Sequence, residues 1–169
     1  NGSNTNCIVA LADEATTTPD VQISGCSDDG SITISVAAGE SSDAAGNLDA
    51  GAGPSASVTV DNTAPTVSIG APSLSDINSA DTVTFILTYE IAPTALVAGD
   101  ITVAGTSTDC AVTVRDASTT TPEVDVSGCS GDGSITISVA AGESVDLAGN
   151  ADVGAGPSAS VTVDNTAPT

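Results

Sequence analysis

The segment "VTVDNTAPT" stands at residues 58–66 and again, unchanged, at residues 161–169. Sliding the chain by this 103-residue offset lays residues 1–66 on 104–169, and 48 of the 66 aligned positions carry the same residue. "DGSITISVAAGES" recurs at 29–41 and 132–144, and Cys7 and Cys26 fall on Cys110 and Cys129. Self-similarity this long means tandem copies of one fold. It makes residues 67–169 a complete repeat and residues 1–66 the last two-thirds of another. A sheet unit without its first strands would present unpaired edges and half a core. We therefore expect the chain to continue upstream of residue 1, with strand donation by another chain as the alternative. The opening Asn, the lack of Met and the lack of a signal segment agree with a processed product or a section of something longer.

Charge and composition narrow the classes further. Twenty-two acidic residues face a single basic one, Arg115, with no Lys and no His, for a formal net charge of -21. Such a surface repels nucleic acid and anionic membranes and attracts cations. Phe85 and Tyr89 are the only aromatic residues. That argues against base-stacking platforms and aromatic sugar clefts. No apolar run approaches the roughly 20 residues of a membrane helix. Acidity of this degree suits disorder, but the apolar fraction is 40% and alternates regularly, which points to a packed fold.

The alternation places the strands. In the complete unit, 66–70, 82–89, 101–105, 110–116, 123–129, 133–142 and 158–164 read as strands separated by turn-rich stretches. Val83, Phe85 and Leu87 share one face of the most hydrophobic of them, and Ile135, Ile137 and Val139 share one face of another. Seven short strands without helical period predict an all-β fold, a sandwich of the Ig-like kind, of about 103 residues per domain. "IAPTALVAGD" and "ESVDLAGNADVGAGP" read as loops. Cys110 and Cys129 bracket a predicted hairpin at matched distances from its turn, as Cys7 and Cys26 do, so each pair is placed to form one intradomain disulfide. A loop of about 20 residues closed this way is worth roughly 3 kcal/mol in the chain-entropy model. Disulfides imply an oxidising compartment outside the cytoplasm.

At the joint, "VTVD" ends one unit and "TVSIG" begins the next. The five-residue connector "NTAPT" has no glycine, and its proline biases Ala64 toward extended backbone. The connector should be stiff. Asp61 and Asn62 end one unit. In an up-and-down count of seven strands, the loop carrying Asp146 and Asn150 lies at the pole of the following unit that faces the connector, with Glu90 and Asp100 beside it. Asp164 and Asn165 repeat the arrangement for the next joint. Carboxylate, amide and carbonyl oxygens in this number suit calcium, and we expect calcium at the joints.

"VTVDNTAPTVSI" at the joint, with "DAAGN" at 43–47 and "DLAGN" at 146–150, resembles the tandem bacterial Ig-like repeats of large surface adhesins, of the biofilm-associated and RTX-adhesin type. The resemblance covers the whole chain. It implies β-sandwich repeats at the bacterial cell surface, stiffened by calcium through Asp61, Asn62, Asp146 and Asn150, and holding a binding tip away from the cell. The paired cysteines depart from the many extender repeats that lack them.

Catalysis is not expected. Ser-His-Asp and Ser-Lys mechanisms have no base here, and the paired acids Asp28–Asp29 have no cleft. Asn1-Gly2-Ser3 matches a glycosylation sequon. The chain is expected to be a non-catalytic extracellular stalk whose partners are its neighbouring repeats. The competing expectation is a self-assembling filament or surface layer of identical chains.

Overall fold

Period-two alternation sets the strands of the second repeat, and the computed structural model, which describes residues 6–169, arranges them in two sheets. The sequon at Asn1 lies outside the described residues. The chain divides into two compact units between Thr63 and Ala64, inside the connector identified from the repeat. The described residues contain no helix long and apolar enough to cross a membrane. The fold is all-β and carries two disulfides, Cys7–Cys26 and Cys110–Cys129, as the hairpin argument predicted. Disulfides are compatible with an extracellular or secreted protein.

The first unit holds two strand pairs. Strands β1 (Ile8–Ala12) and β2 (Asp20–Ser24) form an antiparallel hairpin, and β3 (Gly30–Ile32) pairs antiparallel with β4 (Val58–Val60). In the second unit, β5 (Val67–Ile69), β7 (Thr82–Tyr89), β10 (Glu123–Ser127) and β9 (Ala111–Arg115) form one sheet in the order β5-β7-β10-β9. The other sheet runs β6-β12-β11-β8, from β6 (Asp76–Ile77), β12 (Val161–Val163), β11 (Gly133–Val139) and β8 (Ile101–Gly105). The up-and-down count is therefore corrected. The chain crosses between sheets after β5, β6, β7, β8 and β10, and β6 lies parallel to β12.

One core serves both sheets. Val83, Phe85, Leu87 and Tyr89 of β7 meet Val124 and Val126 of β10 on one side and Ile135, Ile137, Val161 and Val163 of the other sheet. Burying a Val, Ile, Leu or Phe side chain is worth roughly 1.5–3 kcal/mol, so this cluster is the main source of cohesion in the second unit. The core-facing alternation also fixes register, because a slip by one residue would turn these side chains to water.

The strand ends depart from the sequence reading for local reasons. Strand β11 ends at Val139: the Ala140 N–H still donates to the Asp100 carbonyl at 2.8 Å, but Asp100 belongs to a 3-10 turn, Ala98–Asp100, and not to a strand. Strand β12 is shorter than 158–164 because the Ser158 hydroxyl, not a backbone carbonyl, accepts the Ile137 N–H at 2.9 Å. Ser55 does the same for Ile34 at 3.1 Å in the first unit. The Gly-rich stretch after β11 is an ordered excursion, returning through Val145 opposite Ala151 and Val139 opposite Ala155. Gly154 is required there: its φ is +73°, and a Cβ would lie 2.5 Å from the Val139 carbonyl oxygen.

Candidate functional site

The end of each unit is closed by one hydrogen-bonded clamp, built twice. In the second unit the chain leaves β12 as Asp164-Asn165-Thr166. Asp132, in the turn before β11, accepts the Asn165 N–H on one carboxylate oxygen and the Thr166 hydroxyl on the other, each at 2.6 Å. The Asn165 amide nitrogen donates to the carbonyls of Cys129 and Gly131, both at 3.4 Å, and its Oδ1 accepts the Ser79 N–H at 2.6 Å. Asp164 accepts the Thr166 N–H at 2.9 Å, a short local turn. In the first unit Asp29 accepts the Asn62 N–H at 2.6 Å and the Thr63 hydroxyl, Asn62 donates to the Cys26 carbonyl at 3.3 Å, and Asp61 accepts the Thr63 N–H at 3.0 Å. The threonine hydroxyl first, then the asparagine N–H, holds both Asp29 and Asp132 below the usual carboxylate range.

The Asp-x-Ala-Gly-Asn loops are closed internally. Asp146 Oδ1 accepts the N–H groups of Ala148, Gly149 and Asn150 at 2.8, 2.8 and 2.9 Å, and Oδ2 accepts the Asn150 side-chain amide at 2.8 Å. Asp43 repeats the pattern with Ala45 and Asn47. The asparagine side chain is the first cause that lowers both carboxyl groups. Behind this loop, Asp152 is buried and accepts the Ser144 N–H at 2.6 Å, the Ser144 hydroxyl at 3.1 Å and the Gly154 N–H at 2.9 Å.

The residues assigned to calcium thus fall into separate groups. Asp61 and Asn62 belong to the first unit's clamp. Asp164 and Asn165 adjoin the start of β11, where Gly133 pairs with Val163. Asp100 adjoins its other end, where Val139 pairs with Ile101. Asp100 accepts the Val97 N–H at 2.8 Å, and Glu90 accepts the Thr66 N–H at 3.0 Å and the Thr66 hydroxyl at 3.1 Å. Among the described residues no group of three or more acidic or thiol side chains is arranged to hold a metal ion. The carboxylates of Asp61, Glu90, Asp100, Asp146 and Asp164 each also accept hydrogen bonds from the chain itself.

One sequence signal marks Asp29 and Asp132: the preceding position changes from Asp28 to Gly131 between repeats while the second acid stays. Asp152 lies within the stretch that reads as a loop, where no local pattern singles it out. Arg115, the sole cation, pairs with Glu123 at 2.5 Å and Asp125 at 2.7 Å across β9 and β10.

Comparison of the chain with protein-family models, with curated proteins and with solved structures finds no match.

Proposed function

We propose that the chain is a section of a tandem array of Ig-like β-sandwich repeats that works mechanically, as a stiff, acidic, non-catalytic stalk of a bacterial surface adhesin. The observation that carries this reading is the duplicated clamp. Asp29 grips Asn62 and Thr63, and Asp132 grips Asn165 and Thr166, with the same partners in the same order. Each clamp anchors the first residues after a unit's last strand, where a pulling force would enter the fold. The proline-containing connector beyond it is short, and a linker without glycine resists bending better than a Gly/Ser-rich one. The disulfides and the net charge of -21 suit a protein outside the cell. Calcium enters this reading as a proposed counter-ion of the acidic joint.

Small-angle scattering on the 169-residue chain, with calcium and with chelator, tests the reading. A single narrow distribution of end-to-end distances supports a stalk. Two units that swivel freely in both conditions overturn it. A distribution that narrows only with calcium supports the counter-ion role, and the clamp variants considered below separate the two sources of stiffness.

A further inference from the structure

A protease with a carboxylate in its specificity pocket cuts after a basic side chain. Arg115 is the sole basic residue of the 169, so one peptide bond, Arg115–Asp116, answers to that chemistry. The fold puts this bond within reach. Strand β9 lies at the end of its sheet and pairs with β10 alone among the described strands. An edge strand offers the extended main chain that a partner can pair with. The bond itself opens the hairpin turn. Asp116 has a φ of +51°, its carbonyl accepts the Thr119 N–H at 3.0 Å, and Asp116 and residues 118–121 are exposed.

The side chain that such a protease must read is tied down. Arg115 Nε and Nη2 donate to the two carboxylate oxygens of Asp125 at 2.7 and 3.0 Å, and Nη1 meets Glu123 at 2.5 Å. The Thr84 hydroxyl of β7 donates to Asp125 at 2.7 Å and holds the carboxylate from its other neighbour. Two-pronged pairing of this kind is stronger and more specific than a single contact. Val112 and Val114 of the same strand pack against the core. The end of β9 must therefore lift, and both ion pairs must break, before Arg115 can enter a pocket. In the first repeat Ala12 and Gln22 stand at the places of Arg115 and Asp125. The cation and its two-pronged partner are present together or absent together.

We propose that Arg115–Asp116 is a guarded cleavage site for a protease that reads basic side chains, and that the Cys110–Cys129 disulfide keeps a chain cut there in one piece. Hydrolysis adds one water across the bond and leaves a carboxylate on Arg115 and an ammonium group on Asp116. No other covalent bond breaks. The cut falls between the two cysteines, whose disulfide spans β9, the turn and β10. Residues 1–115 and 116–169 therefore stay joined. Strand β10 keeps its pairing with β7 from Glu123 to Ser127, so the cut frees the turn without opening the centre of the sheet.

Trypsin added to the intact, oxidised chain under native conditions tests the inference, with products read by mass spectrometry. We expect one cut, after Arg115. The product should be heavier by one water and should part into residues 1–115 and 116–169 only when reductant and denaturant are added together. A variant carrying Glu123→Gln and Asp125→Asn removes both ion pairs and should be cut roughly fivefold faster, the factor that two exposed pairs are worth. Subtilisin, whose pocket does not require arginine, should cut both chains within residues 116–121 at equal rates. That comparison separates a freed side chain from a loosened hairpin. Four outcomes would overturn the inference: no trypsin cut in either chain, equal trypsin rates, a rise with subtilisin that matches the rise with trypsin, or halves that part in denaturant without reductant. None of these readouts depends on the stiffness of the joint, so the stalk reading and this one fail separately.

Discussion

At one end of the second unit, buried Tyr89 and half-buried Glu143 share the same acidic surroundings, and both titrate above their usual range. Tyr89 is buried, and its hydroxyl makes no hydrogen bond among the described residues. Burial first, then the charges of Asp152, Glu143 and Asp100, raises its pKa. A buried hydroxyl without a partner costs about 1–3 kcal/mol. Tyr89→Phe should therefore stabilise the chain by about 1 kcal/mol in urea unfolding. A loss of similar size would mean that the hydroxyl donates to one of the three acids in solution. Glu143 is pushed above the usual glutamate range, by burial first and then by Asp100 and Asp152. The groups facing it are these two acids and Tyr89. A carboxyl group whose folded pKa is raised binds protons more tightly folded than unfolded, so the fold loses stability as pH rises through that window. Glu143→Gln should raise the melting temperature at pH 7, where the wild-type group is ionised. The gain should shrink as pH falls toward the ordinary glutamate value of about 4.3. A gain that does not change between pH 7 and pH 4 would place the effect in packing instead.

At the scale of the element, the clamp sets how β12 ends, and it titrates in the opposite direction. The depressed pKa of Asp132 means that its contribution is fully present above the unfolded value, about 3.9, and is lost as pH falls through the folded value. Asp132→Ala should speed amide exchange at Asn165 and Thr166 roughly tenfold at pH 7. The difference between the variant and the wild type should shrink as pH falls through the folded value. Asp29→Ala should do the same at Asn62 and Thr63; exchange unchanged at both sites would leave the clamp as geometry without energy. Strand β7 was legible because its alternation persists over eight residues, Thr82–Tyr89, with Val83, Phe85 and Leu87 inward as read. Strand β6 was not, because Asp76–Ile77 is only two residues long and depends on parallel pairing with β12, a contact that no local pattern encodes. The clamp was hidden for a related reason. Asp132 and Asn165 lie 33 residues apart, and only the turn after Cys129 brings them together. Alternation shows which face of a strand is buried, but not which sheet the strand joins. The up-and-down count failed at that point, while the cysteine pairing, which needed only one hairpin, held.

Across the whole molecule the same covalent staple supports two very different amounts of packing. Both disulfides span 19 residues, and closing a loop near that length is worth roughly 3 kcal/mol in the chain-entropy model. The buried apolar cluster lies wholly in the second unit, from Ile77 to Val163. In the first unit Ile8, Val9 and Leu11 of β1 remain mostly exposed, and each of its strands has a single partner among the described residues. A loss of equal size therefore meets a reserve in one unit and almost none in the other. Reduction at neutral pH should open the first unit while the second stays folded. Limited subtilisin digestion with mass readout checks this. With reductant, cuts should collect within residues 13–19 and 25–29, and a fragment beginning near Ala64 should survive. Equal resistance of both units would mean that the strand pairs of the first unit hold together without either support. Cleavage of the second unit first would place the chain's stability in its thiol chemistry and not in the shared core of β7, β10, β11 and β12.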